Sequence, residues 1–127
     1  MIATSIEQSK KLVKLGIDTS TADMCYREVA YNPDDNHVWQ LYAFYYVIDY
    51  GDIPAWSLSA LLELMPYEVV LDEDESLILG IHKEDSQYYF DYNNTYSGEI
   101  HIDTLMCDDP IDAAVEMIVW LKENKYI

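Results

Sequence analysis

The sequence predicts a single α+β domain over residues 1–127, an antiparallel β-meander packed against two or three helices. Three observations lead there. Apolar residues recur at helical spacing near both ends and after Ser57, whereas from Tyr67 to Ile102 they alternate with period two. The chain has 127 residues, close to the usual size of one domain, and 50% of them are hydrophobic, enough for an ordinary core.

The first helix is expected over about Ser5 to Leu15, with Thr4 and Glu7 at capping-box spacing and Gly16 placed to end it. Ile6, Leu12 and Val13, with Leu15 at the margin, form its thin apolar stripe; Lys10, Lys11 and Lys14 face water and suit the negative end of the helix dipole. Ile17 to Asp23, rich in Thr, Ser and Asp, reads as a turn into a strand near Met24 to Tyr31, and Asn32 to Asn36 as a surface loop. His37 to Tyr50 is so densely aromatic and β-branched that its period is ambiguous between strand and helix, and strand is the favoured reading. Gly51 and Pro54 break the chain. Ser57 then caps a helix whose Leu58, Leu61, Leu62 and Met65 follow i, i+3, i+4, i+7 spacing until Pro66 stops it.

The meander follows. Tyr67, Val69 and Leu71 alternate before the acidic turn Asp72 to Ser76; Leu77, Leu79 and Ile81 alternate before the turn Lys83 to Ser86. Tyr88, Phe90 and Tyr92 then face the core, a turn from Asn93 to Gly98 leads to Ile100 and Ile102, and the other face of the sheet is wet. The last helix opens at Asp108 or Asp109 as cap with Pro110 in first position. It presents Ile111, Ala114, Val115, Ile118 and Leu121 to the core, with Trp120 beside them.

Charge is the most uneven feature of the chain. Between Arg27 and Lys122 stand twenty Asp and Glu against one base, Lys83, and the formal net charge is −17. Such a surface repels nucleic acid and anionic membrane, so direct nucleic-acid binding is not expected. No segment reaches the length of a membrane span and no signal-peptide core follows Met1, which together predict a cytoplasmic protein without membrane attachment. Cys25 and Cys107 read as reduced thiols, and neither has a Lys, Arg or His beside it to activate it.

The sharpest candidate for chemistry is a pair of His-x-acid steps, His82 with Glu84 and His101 with Asp103, because residues two apart on a strand share a face. Four such groups suit a divalent cation. Against this, Glu99, His101 and Asp103 fit the wet side of a strand whose Ile100 and Ile102 point inward, and Glu84 falls in a turn. No metal, cofactor or catalytic residue is therefore assigned. The acidic turn Asp72 to Glu75 lacks the alternating ligands, central Gly and terminal Glu of a calcium loop. Ser57 and Ser59 lack a nucleophile-elbow context, and with four Gly the chain carries no phosphate-binding loop or dinucleotide fingerprint.

Two segments, Pro54 to Pro66 (PAWSLSALLELMP) and Asp112 to Ile127 (DAAVEMIVWLKENKYI), together with Thr21 to Met24 (TADM), resemble stretches of small uncharacterised proteins of gut Bacteroidales and their phages or mobile elements. The resemblance implies a bacterial or phage cytosolic setting and carries over no catalytic or binding residue.

Acid charge with twelve Tyr and no catalytic constellation points to a small non-enzymatic protein that binds a protein partner, regulatory in kind. One alternative is an acidic mimic of nucleic acid that inhibits a DNA-binding protein, based on eleven acids and no Lys or Arg from Glu28 to His82. Another is a metal protein or enzyme using His82 and His101. The apolar run Val38 to Tyr50 exceeds what a small one-sided sheet needs, so a two-fold homodimer is expected, tightening as salt screens the like charges.

Overall fold

The computed structural model describes residues 1–31, 37–43, 51–72, 74–97 and 99–127, and at 30, 31, 37, 100 and 101 the backbone alone. The expected loop Asn32 to Asn36 and the second half of the aromatic run, 44–50, lie outside the described residues. The class is α+β: three α-helices and two antiparallel sheets. The chain falls into two compact units, residues 2–60 and residues 61–127 with Met1, each with a sheet of its own.

In the first unit helix α1 (Ile6–Lys14) is followed by a 3-10 turn at Thr19–Thr21 and strands β1 (Met24–Tyr31), β2 (His37–Ala43) and β3 (Ile53–Ala55), in sheet order β2-β1-β3. The capping box is present, but one residue later than expected. Ser5 accepts from the Gln8 amide at 3.1 Å and Gln8 Oε1 accepts from the Ser5 amide at 2.9 Å. Thr4 is otherwise engaged: it is fully buried, its hydroxyl oxygen accepts from the Trp56 amide at 3.1 Å and it lies 2.8 Å from the Ser9 hydroxyl. Gly16 ends the helix in the left-handed region, φ 89°. Of the expected stripe Leu12 is buried but Val13 is exposed, and Ser9 takes an inward position instead. The break assigned to Pro54 is a strand: β3 is an edge, where a residue without an N–H is tolerated, and Pro54 lies opposite Cys25. A register shift falls between Glu28 and Ala30 of β1. Trp56, fully buried, donates from Nε1 to the Thr21 hydroxyl at 2.9 Å.

Helix α2 (Leu58–Leu64) starts as the sequence predicts, with Ser57 Oγ accepting from the Ala60 amide at 3.2 Å. Asp23 holds that cap in place, accepting from the Ser57 amide at 2.8 Å and pairing with its hydroxyl.

The second unit is the meander, β4 (Glu68–Val70), β5 (Ser76–Glu84), β6 (Gln87–Asn93) and β7 (Ile100–Asp103), each strand antiparallel to its neighbour in chain order. The turn between β5 and β6 is tight, and Asp85 takes φ 54°. Helix α3 (Pro110–Glu123) lies against β6, capped by Asp109, which accepts from the Ile111 amide at 2.8 Å and pairs with the Met1 ammonium at 2.6 Å. All five expected core residues of α3 are buried, and Ala113 and Met117 with them. Phe90 and Tyr92 of β6 and Leu77 of β5 meet this core; Ile81 is exposed, so the cover stops short of that end of β5. Tyr67 and Leu71 are also exposed, because β4 is only three residues long and both fall outside it. Among the described residues no helix is long and apolar enough to cross a membrane.

Candidate functional site

Along β5 a pleated strand sends Ile78, Gly80 and His82 to one face, and the register sets Asn93, Asp91 and Tyr89 of β6 opposite them. This is the face that alternation assigns to water. Asp91 is nevertheless 2% exposed. His82 Nε2 stands 2.9 Å from Asp91 Oδ2, the distance of an ion pair, though without the alignment of a hydrogen bond. Asn93 Nδ2 donates to Asp91 Oδ1 at 2.9 Å. Tyr89 stacks on the imidazole with centroids 4.5 Å apart and planes 14° from parallel.

Gly80 makes room for the group. A Cβ there would lie 2.2 Å from Asp91 Oδ1 and 2.6 Å from His82 Nε2, separations no real contact shows. The space left by the missing side chain is thus what lets an imidazole and an amide close over a carboxylate in mid-sheet.

Of the residues the sequence singles out, only His82 enters this cluster. Glu84, at the end of β5, is exposed; Asp103 is exposed and registers opposite Asp91 on β7; the His101 side chain lies outside the described residues. Among the described residues no three His, Cys, Asp or Glu converge as metal ligands. The missed partner is Asp91. Its signal was a glycine in mid-strand two residues before a histidine, the usual mark of a close approach, which period-two reading treats as neutral.

Chemically, the carboxylate stands beside one imidazole nitrogen while Tyr89 sets the ring plane, so electrostatic attraction and stacking together hold the imidazole over Asp91. The same contacts also tie β5 to β6. Lys83 on the opposite face of β5 sits 5.5 Å from the Tyr88 ring centroid.

The thiols are quiet. Cys25 is buried, and the Cys107 Sγ–H donates to the Leu105 carbonyl at 3.4 Å. Partial burial pushes the Cys107 thiol upward in pKa, as do the carboxylates of Glu116, Asp112, Asp108 and Asp109.

A second feature lies at the β4 edge of the meander. Tyr67, Val70 and Leu71 are exposed, Tyr67 by 72%, and the acidic turn follows at once. Asp72, Asp74, Glu75 and Asn94 line an open depression of about 490 Å³, and Asp72 Oδ1 accepts from the Asp74 amide at 2.9 Å. The Leu71 and Asp72 amides both point to the Glu75 carbonyl, at 2.9 and 3.3 Å, which folds the turn back on itself.

No protein-family model, curated protein or solved structure matches this chain.

Proposed function

We propose that this is a small acidic interaction protein that regulates by binding another protein in a bacterial or phage cytoplasmic setting. The observation that carries the reading is the β4 edge. Three large apolar side chains within five residues stand in water there, beside Asp72, Asp74 and Glu75. An apolar centre with a charged rim is the anatomy of a contact surface, and the sign of the rim favours a basic partner. The test is to use the parent chain and a Tyr67→Ala, Val70→Asp variant as paired baits in the native host. A partner recovered in stoichiometric amount with the parent and lost with the variant is the expected result. No partner, or one held equally by both chains, rejects the reading.

A second reading, mimicry of nucleic acid, is favoured by the gathering of three carboxylates around one depression. It requires that the purified chain compete with duplex DNA for a basic DNA-binding protein, and that competition weaken as salt rises. Failure to displace DNA at low salt removes it.

A further inference from the structure

Among the described residues there are four sheet-edge strands, and three carry a feature that discourages pairing with another chain. Strand β3 has three residues and contains Pro54; β4 has three residues and begins on Glu68; β7 has four and ends on Asp103. Strand β2 has none of these. Its seven residues, HVWQLYA, include no Asp, Glu, Lys, Arg or Pro in a chain that is 24% charged. One of its edges pairs with β1, and among the described residues no strand pairs with the other.

From Val38 to Tyr42 the side chains alternate. Trp39 and Leu41 are half-buried, whereas Val38, Gln40 and Tyr42 are exposed on the opposite face, Val38 by 46% and Tyr42 by 39%. We propose that β2 is the seam of a homodimer, in which it pairs antiparallel with the same strand of a second copy about a two-fold axis at Gln40. The sheets then join as a continuous six-stranded sheet.

The strand itself argues for a second copy as occupant. An axis perpendicular to the sheet keeps each side chain on its own face, so residues of like parity must meet, and an axis at Gln40 pairs the whole strand. Val38 then meets the partner's Tyr42, and Trp39 meets the partner's Leu41, both pairings of the aromatic-with-aliphatic kind that stabilise sheets. Gln40 meets the partner's Gln40, two amides that can bond each other. The seven residues of β2 bring no carboxylate of their own into the seam, which matters in a chain of −17. This proposal stands independently of a hetero-partner at the β4 edge.

The axis residue gives a specific test. Gln40→Lys and Gln40→Glu each place two like charges face to face across the axis. Arg27 of β1 lies opposite Gln40 in the same chain, so Gln40→Lys also costs some stability of the single chain, and the thermal midpoint of each variant separates that cost from the loss of association. Sedimentation of the parent is expected to show a dimer that tightens as ionic strength rises, because the seam has no ion pair to lose while the surrounding carboxylates repel. Each variant alone should associate several-fold more weakly, with an unchanged circular dichroism spectrum. An equimolar mixture of the two should recover a heterodimer at least as tight as the parent. A parent that stays monomeric at tens of micromolar at every salt concentration overturns the proposal. So does a dimer indifferent to both substitutions, or a mixture no tighter than its components. Protection of the β2 amides from hydrogen exchange that depends on a different protein would assign the edge to that protein and equally overturn the dimer.

Discussion

Gly80 and Asp91 show how a single missing Cβ allows a carboxylate to be buried on the wetter face of a sheet. Gly80→Ala is expected to drive apart His82 and Asp91 and to lower stability by about 1–3 kcal/mol, the usual range for an intruding methyl. Denaturant titration measures it; an unchanged midpoint would show that the cluster relaxes at no cost. Tyr92 is the second residue with a measurable consequence. Its hydroxyl donates to the Pro66 carbonyl at 2.7 Å, and burial pushes its pKa from 10.0 up to about 12. The phenol therefore ionises more easily in the unfolded chain. The stabilisation is complete below pH 10 and is lost as pH rises through about 12, on the order of 2 kcal/mol in all. A Tyr92→Phe chain should lack that alkaline loss, which pH-dependent unfolding would reveal. Cys107 belongs here too: with its thiol held protonated, alkylation near neutral pH should run more slowly than for free cysteine, and an equal or faster rate would contradict the electrostatics.

At the scale of elements, legibility followed what is local. Helix α3 could be read because its proline and its stripe lie within its own fourteen residues and its cap, Asp109, directly before them, and β1 because turn residues flank it. The cap of α1 slipped by one residue for a reason outside the helix. Thr4 is taken up by Trp56, fifty-two positions away, and Ser5 inherits the capping role. Strand β3 was unreadable because whether a proline breaks a strand or edges it depends on which strand lies beside it. The His82–Asp91 pair was half visible: His82 stood out by residue type, while Asp91 was one acid among twenty-four until the register placed it. Thr4→Val tests the first of these long-range ties. It removes an acceptor from the buried Trp56 amide and a partner from the Ser9 hydroxyl, so a loss of about 1–3 kcal/mol is expected in the unfolding free energy. A loss smaller than the error of the measurement would mean that α1 is not anchored through Thr4.

On the scale of the whole molecule, net charge sets the dependence on medium. Twenty-four acids against seven bases repel one another in the folded chain more than in the expanded one, so the thermal midpoint should climb as salt is added. A midpoint that falls with salt would mean that the ion pairs Arg27–Asp52 and Met1–Asp109 outweigh the repulsion. The division into two compact units has a spectroscopic corollary, because of the three indoles Trp39 and Trp56 fall in residues 2–60 and Trp120 in residues 61–127. Trp56, sealed from solvent with its N–H bonded to Thr21, should emit at short wavelength and resist collisional quenchers; Trp120, stacked on Tyr126 and only half-buried, should emit further to the red and be quenched. Replacing Trp39 by Phe leaves these two emitters, one in residues 2–60 and one in residues 61–127. Two melting curves can then be recorded from one cuvette, and their coincidence or separation tells whether the halves of this chain unfold as one cooperative body or as two.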